Sequence, residues 1–211
     1  MNDTRAFQPS VDGVILAGGR ARRMSGEDKG LLPLRGHPLA EWVARRLAPQ
    51  VRALVISANR NPEAYAALGW PVVPDDLPDH PGPLAGILAA GARLSGEWLL
   101  VVPCDLPFLP ADLASRLHAA AVEQGLGAVY AAEPEREHYA VMLLRRDLLP
   151  DLAAHVAAGG RQVRAWLGAL GARGVPFAAA GEAFFNINTP DDLERAETLA
   201  AGRPELFRTG A

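Results

Sequence analysis

The feature that most constrains the fold of this chain is an alternation between short apolar runs and amphipathic segments. Residues 11–16, 51–56 and 98–102 are short and largely apolar, which is typical of strands buried on both faces of a parallel sheet. Between them, apolar residues recur at helical spacings of three and four; they are Leu39, Trp42, Val43 and Leu47 in one segment, and Leu84, Ile87, Leu88, Gly91 and Leu94 in another. This order predicts an α/β fold with a doubly wound, mostly parallel sheet.

The rest of the chain continues the same pattern. Further strands are predicted at residues 71–73, 128–132 and 139–144. A helix is expected to begin near Pro110, with Leu113 and Leu117 on its inner face. The last helix has clear start signals, because Thr189 suits the N-cap, Pro190 suits the first helical position, and two aspartates follow near the positive end of the helix dipole.

Composition and charge exclude several classes of partner. The 211 residues carry a formal charge of −3, which gives no field that would hold nucleic acid. The single cysteine, Cys104, excludes an internal disulfide, and the N-terminus lacks a signal-peptide pattern, so a cytoplasmic location is expected. Every apolar run ends well before the ~18 to 20 residues that span a bilayer, so no membrane segment is expected. One domain is predicted over residues 11–201, with flexible termini at 1–10 and 202–211.

The segment that follows the first strand suits a nucleotide. It reads LAGGRARRMSGEDK from Leu16 to Lys29, and open α/β sheets place their ligands at the carboxyl ends of strands. Gly18 and Gly19 would let backbone amides approach phosphate oxygens, while Lys29 and arginines such as Arg23 would offset the charge of a triphosphate. The segment matches neither the P-loop nor the G-x-G-x-x-G fingerprint. A solvated basic turn is the alternative for this segment taken by itself.

Two aspartates are predicted at the same edge of the sheet. Asp105 follows the most apolar strand, in Pro103-Cys104-Asp105, and is the predicted metal ligand because Mg²⁺ takes one or two carboxylates plus water and substrate phosphates. Asp75 follows the strand at residues 71–73. Capping a turn is the alternative role for either aspartate.

Two asparagines near the C-terminus are candidates for reading a heterocycle. Asn186 and Asn188 lie at alternate positions of a segment expected to be extended, and amides offer paired donors and acceptors. Ordering the entry to the last helix is the equally plausible alternative. The five histidines show no zinc-ligand spacing. Cys104 is expected to be a buried thiol, and no covalent nucleophile is predicted.

These motifs together carry a resemblance to a known family. They are Leu16-Ala17-Gly18-Gly19 with Arg23-Met24 and Asp28-Lys29, then PGPLAG at residues 81–86, Pro103-Cys104-Asp105, and NINTP at residues 186–190. In this order and at this spacing, the chain resembles the molybdenum cofactor guanylyltransferases over roughly residues 11–199. The resemblance implies a doubly wound nucleotidyltransferase fold that joins GTP and a molybdopterin phosphate, with Mg²⁺ as the cofactor. A molybdenum insertase or an acceptor molybdoenzyme is the protein partner that the resemblance suggests.

The resemblance also implies roles for individual residues. Nucleotide contacts are expected from Leu16, Ala17, Gly18, Gly19, Arg23, Lys29, Asn59, Asp75 and Asp105. Lys29 and Asp105 would be catalytic, and Asp105 would hold the metal. Family members often carry Asn-x-Asn where this chain has Ser57-Ala58-Asn59. Gly82, Asn186 and Asn188 would lie on the pterin side.

Three alternative functions remain open at this point. A cytidylyltransferase for the same pterin is the nearest, although related cytidylyl enzymes tend to carry Ala-Ala-Gly where this chain has Ala17-Gly18-Gly19. A sugar-1-phosphate nucleotidyltransferase is another, but such enzymes often append a further domain. The third is a nucleotide or cofactor binder with no turnover, which would not need a metal ligand at the α-phosphate.

Overall fold

The computed structural model describes residues 10–17, 28–75, 82–177 and 182–202. The strands are β1 (Val11–Leu16), β2 (Pro33–Leu34), β3 (His37–Pro38), β4 (Leu54–Ser57), β5 (Val72–Val73), β6 (Trp98–Pro103), β7 (Ala128–Glu133), β8 (Arg136–Arg145) and β9 (Arg173–Pro176). The helices are α1 (Leu39–Leu47), α2 (Pro62–Ala66), α3 (Pro83–Arg93), α4 (Leu113–Glu123), α5 (Leu149–Ala157), α6 (Val163–Ala169) and α7 (Pro190–Ala201). Of the predicted flexible termini, only Ser10 and Gly202 are among the described residues.

The main sheet is mostly parallel, as predicted. Within the described residues, seven strands follow the order β5-β4-β1-β6-β8-β7-β9. Strand β8 is antiparallel to β6 and β7, whereas the other neighbouring pairs are parallel. The chain therefore builds outward from β1 to β4 and β5, and then returns to place β6 on the other side of β1.

Both faces of this sheet are covered by helices. Val11 and Ile15 of β1 point into a core that includes residues of α1 and α4, whereas Val14 points into a core that includes residues of α3, α5 and α6. Alternate residues of a strand face opposite sides, so a strand that is apolar along its length needs cover on both sides. The doubly wound α/β class is confirmed.

Three predicted element starts are wrong by three residues. The strand expected at residues 139–144 is β8, which begins at Arg136. The strand expected at residues 51–56 is β4, which begins at Leu54, because Val51 and Arg52 form a bend after a 3₁₀ turn over Ala48–Gln50. The helix expected near Pro110 begins at Leu113, because the preceding residues form a turn that α4 continues. Its inner-face residues, Leu113 and Leu117, are fully buried as expected.

A smaller apolar cluster packs the C-terminal helix α7 against α1 and the hairpin of β2 and β3. The hairpin of β2 and β3, helix α1 and helix α7 share apolar contacts that include Leu34, Trp42 and Ala196. The backbone N–H of Arg35 in the hairpin turn also donates to Glu197 Oε1 at 2.7 Å. This packing fixes the start of α7 beside the carboxyl ends of the central strands. No helix among the described residues is long and apolar enough to cross a membrane.

Candidate active site

The carboxyl ends of β1 and β6 form the point where the strand order reverses, which is where open α/β sheets bind ligands. Leu16 and Pro103 are paired across these two ends, and the N–H of Cys104 continues the ladder by donating to the carbonyl of Leu16 at 3.1 Å. Asp105 therefore emerges directly above the centre of the sheet. The segment that begins with Ala17 emerges beside it.

Three predicted site residues meet at this point. The ammonium of Lys29 donates to Asp105 Oδ2 at 2.7 Å and to Asn188 Oδ1 at 2.6 Å. The side chain of Lys29 is 24% exposed and that of Asp105 is 11% exposed, so the ion pair is largely shielded from water but still reachable. The structure thus brings together residues from three separate motifs.

Helix α7 holds Asn188 in this arrangement. Thr189 is the N-cap, as predicted, and forms a capping box in which its hydroxyl accepts from the N–H of Asp192 while Asp192 accepts from the N–H of Thr189. Asp192 Oδ2 also accepts from the N–H of Asn188 at 2.9 Å. These backbone hydrogen bonds, first of all the one from Asn188, lower the pKa of Asp192 below its usual range.

One oxygen of Asp105 fits the role of a metal ligand. Asp105 Oδ1 is buried, and it has no hydrogen-bond partner among the described residues. A buried carboxylate oxygen without a partner is costly, and Mg²⁺ is satisfied by one or two carboxylates together with water and phosphate oxygens. The described residues contain no group of three or more His, Cys, Asp or Glu that could hold a metal by themselves. The donor set therefore fits a magnesium ion that is shared with a phosphorylated substrate.

Two of the predicted nucleotide contacts, Asn59 and Asp75, lie along the same edge, beyond β4 and β5. Asn59 Oδ1 accepts from the backbone N–H of Asp75 at 2.7 Å, so these two residues are direct neighbours. The N–H of Ala17 donates to the carbonyl of Ser57 at 2.8 Å, which joins the start of the nucleotide segment to the end of β4. Asn59 and Asp75 thus form one unit at this edge, although the sequence separates them by 16 positions.

The first turn of α3 packs closely on the end of β4. A Cβ atom on Gly86 would lie 2.6 Å from the Ser57 hydroxyl oxygen and 3.1 Å from a methyl group of Leu16. Any larger residue at position 86 would force the Ser57 side chain to move or would push the helix away from the strand ends. Gly82 is the N-cap of this helix, so the predicted pterin-side glycine lies at the start of an element that is fixed against the site.

The two predicted pterin-side asparagines, Asn186 and Asn188, have different surroundings. The carbonyl of Asn186 accepts from Asn188 Nδ2 at 3.4 Å, while Asn186 Oδ1 is buried without a hydrogen-bond partner among the described residues. The N–H of Ile187, between them, donates to the carbonyl of Asp105 at 3.1 Å. The asparagine segment is therefore bound directly to the loop that carries the metal-ligand candidate.

Several predicted residues fall outside the described residues. They are Gly18, Gly19 and Arg23 of the nucleotide segment, and their roles stay predictions. Cys104 is buried, as expected, and burial raises the pKa of its thiol well above the usual range. The thiol is thus held neutral and is unsuited to nucleophilic attack.

Comparison with known proteins agrees with this geometry. Residues 13–174 match the MobA-like NTP transferase domain. A protein from Serratia proteamaculans (strain 568) named molybdenum cofactor guanylyltransferase is 45% identical over 186 residues, which cover 88% of this chain and 93% of the relative. A protein of the same name from Yersinia pestis (strain Pestoides F) is 43% identical over 197 residues, which cover 93% of this chain and all of the relative.

A solved structure shares the architecture over nearly its whole length. Molybdopterin-guanine dinucleotide biosynthesis protein A from Archaeoglobus fulgidus is 25% identical, with a TM-score of 0.72 over 90% of this chain and 99% of that one. The family match, together with the strand order and the charged site above its switch point, shows that the chain belongs to the class of nucleotidyltransferases. Within that class, the chain belongs to the MobA-like NTP transferase family and, among its members, to the molybdenum cofactor guanylyltransferases. The family predicted from the sequence motifs is confirmed.

Proposed function

We propose that the protein transfers GMP from GTP to the phosphate of molybdopterin, with or without bound molybdenum, giving the guanine dinucleotide form of the cofactor and pyrophosphate. The observation that carries this proposal is the contact of Lys29 with both Asp105 and Asn188. A single cation joins a metal-ligand candidate to the segment expected to face the acceptor. The relatives named molybdenum cofactor guanylyltransferase support the choice of substrates.

The reaction needs alignment and charge neutralisation more than proton transfer. An oxygen of the acceptor phosphate attacks the α-phosphorus of GTP, the bond from that phosphorus to the bridging oxygen of the β-phosphate breaks, and pyrophosphate leaves with that electron pair. A phosphate monoester has a second pKa near ~6 and is already a nucleophile at neutral pH. No general base is required, so the site must hold the two phosphates in line and offset their charge.

Lys29 is the residue we assign to the triphosphate. An ammonium group has three donors, and Asp105 and Asn188 accept from it among the described residues. A phosphate oxygen is the acceptor we assign to its remaining donor capacity. The backbone of Leu16 and Ala17 lies at the end of β1, and we assign the phosphate approach to this backbone together with Gly18, Gly19 and Arg23.

Asp105 is the residue we assign to Mg²⁺, through the carboxylate oxygen that the described residues leave unpaired. When bound, the ion would neutralise charge on the triphosphate that develops as pyrophosphate leaves. Lys29 keeps the other carboxylate oxygen of Asp105 in a fixed direction. The carboxylate is therefore oriented before any substrate arrives.

The two ends of the site would read the two heterocycles. We assign the guanosine to the edge formed by Asn59 and Asp75, and the pterin to the side that carries Gly82, Asn186 and Asn188. Asn186 Oδ1 is the buried acceptor there that a pterin N–H would satisfy. The product would pass to a molybdenum insertase or an acceptor molybdoenzyme, and the cytoplasm is the expected location.

Pyrophosphate release by the purified protein tests this function. The protein would be incubated with Mg²⁺ and molybdopterin, and GTP would be compared with CTP, with and without a chelator. We expect release with GTP alone and none with the chelator. Release with CTP alone would support the proposed mechanism but would refute guanine as the base. Release with neither nucleotide, from folded protein and intact acceptor, would refute the transfer reaction.

A further inference from the structure

We infer that Tyr65 is a positioning residue for Lys29. Its buried hydroxyl holds Asp28, and Asp28 in turn fixes the backbone that directs the lysine toward Asp105 and Asn188. The inference rests on the proposed function in one respect only, namely that Lys29 acts on the triphosphate of GTP. Neither Tyr65 nor α2 was recognised as part of the site from the sequence.

Both oxygens of the Asp28 carboxylate are held from the same small helix. The Tyr65 hydroxyl donates to Asp28 Oδ1 at 2.6 Å, and Asn61 Nδ2 donates to Asp28 Oδ2 at 3.0 Å. Tyr65 is fully buried, so the bond that it makes is protected from competition with water. Burial is also the main cause that raises the pKa of Tyr65 well above its usual range, so the phenol keeps its proton and stays a donor.

The residue on the other side of Lys29 is also fixed by Tyr65. A Cβ atom on Gly30 would lie 2.4 Å from the Tyr65 hydroxyl oxygen and 3.1 Å from the Cys104 sulfur. Because Gly30 has no side chain, the Tyr65 hydroxyl has room to reach Asp28. Both chain neighbours of Lys29 contact Tyr65. Asp28 accepts a hydrogen bond from its hydroxyl, and Gly30 packs closely against it.

The segment that carries Lys29 lies next to the segment that carries Asp105. The Cys104 sulfur occupies the space beside Gly30 that a Cβ atom would enter, and Cys104 immediately precedes Asp105. The backbone that carries Lys29 therefore lies beside the Cys104 side chain, and Tyr65 lies next to the same glycine from α2. A lysine side chain has many rotamers, and a fixed backbone reduces the freedom that must be lost when its ammonium binds.

The local backbone of α2 is built for this contact. Asn61 has φ 48° and ψ 42°, a left-handed conformation that asparagine tolerates better than most residues. Pro62 follows at the first helical position. The turn directs the Asn61 amide and, one helical turn later, the Tyr65 ring toward the same carboxylate.

The test compares Tyr65→Phe with Tyr130→Phe. Tyr130 is a matched control because it is also buried and its hydroxyl also donates to a carboxylate, Glu137 Oε1 at 2.8 Å, away from Lys29. We expect Tyr65→Phe to lower kcat/KM for GTP roughly tenfold, the size of effect that loss of one oriented charged contact gives. We expect Tyr130→Phe to leave kcat/KM unchanged.

The same substitution in a Lys29→Ala background distinguishes a positioning role of Tyr65 from a general effect on protein stability. In Lys29→Ala protein, Tyr65→Phe should have no further effect on kcat/KM, because the tyrosine acts through the lysine. Effects that multiply in the double variant would overturn the inference. Should Tyr65→Phe fail to fold, Asp28→Ala removes the acceptor of the same hydrogen bond at a partly exposed position, and wild-type kinetics in that variant would equally refute the inference.

A readout without GTP keeps the inference distinct from the proposed function. Lys29 is the only lysine in the sequence, so an amine-specific reagent followed by peptide mass spectrometry reports on a single side chain. Tyr65→Phe should raise the labelling rate of Lys29 severalfold, and Tyr130→Phe should not. An unchanged labelling rate would overturn the inference even if GMP transfer is confirmed, whereas a raised rate would support it even if transfer fails.

Discussion

Lys29 and Asp105 are 76 positions apart in the chain, yet their charged groups lie 2.7 Å from each other at the centre of the sheet edge. The pair is completed by Asn188, 159 positions beyond the lysine. The pair is largely shielded from water, and the cost of desolvating two charges offsets much of their attraction. We therefore expect this contact to matter through the direction that it gives to two charged groups.

Replacing Asp105 by Asn should abolish most turnover without unfolding the protein. The amide cannot supply the anionic oxygen that we assign to Mg²⁺, and it loses the charge that orients Lys29. We expect kcat to fall by about 100- to 1,000-fold, the range seen when one electrostatic group is removed from a catalytic site. Pyrophosphate release measures this, and Asp112→Asn is the control because Asp112 is an exposed aspartate. Turnover within a few fold of wild type would remove Asp105 from the mechanism.

GTP should protect Lys29 from amine-specific labelling, whereas guanosine should not. The difference isolates the phosphate contact, because both ligands carry the same base and sugar. In Lys29→Ala the Kd for GTP should rise roughly ten- to a hundredfold, as expected for loss of a charged hydrogen bond worth about 1.5 to 3 kcal/mol. The Kd for guanosine is the internal control and should stay the same. Equal protection by both ligands would place Lys29 at the nucleoside and not at the phosphates.

Replacing Asp12 by Ala should destabilise the fold and spare catalysis. This carboxylate is fully buried at the edge of the sheet opposite the site. It accepts hydrogen bonds from Arg52 Nε and Nη2 and from the N–H groups of Ser95 and Gly96. Removing it leaves the N–H groups of Ser95 and Gly96 without their acceptor, whereas the half-exposed Arg52 can be solvated by water. The free energy of unfolding should therefore fall by about 1 to 3 kcal/mol.

Urea unfolding measures the effect of Asp12→Ala, with Asp147→Ala as the matched control. Asp147 also pairs with an arginine, but its side chain is 59% exposed, so its loss should cost less than about 1 kcal/mol. Equal losses in the two variants would contradict the importance of the buried carboxylate.

The thiol of Cys104 should be unreactive in the folded protein. Burial raises the pKa of this thiol well above its usual range, so the reactive thiolate is scarce at neutral pH and appears only far into the alkaline range. A thiol-specific chromogenic reagent at pH 8 should react fully in denaturant and slowly in native buffer. Fast reaction of the native protein would show that the packing between Gly30 and Cys104 opens readily.

The elements with strong periodicity could be predicted from the sequence. Leu39, Trp42, Val43 and Leu47 recur at helical spacing, and all four are buried in α1. The short elements α2, β2, β3 and β9 were not predicted, because two to five residues give too little periodicity to separate a strand or turn from coil. Helices α5 and α6 were not predicted either, although both bury apolar residues at helical positions. The predicted start of β4 was wrong because the chain bends at Val51 and Arg52 after the 3₁₀ turn over Ala48–Gln50, and this bend has no periodic signal in the sequence.

The sequence by itself determined the class of fold and the candidate groups for the site, because burial periodicity, turn residues and charged motifs are properties of neighbouring positions. It also gave the order in which those groups occur. Only the tertiary structure decided which groups meet: Asp28 with Tyr65, 37 positions away, and Lys29 with Asp105 and Asn188. These contacts depend on the strand order that places β1 beside β6 and on the packing of α2 and α7 against that edge, and long-range pairing of this kind leaves no periodic trace in a single chain.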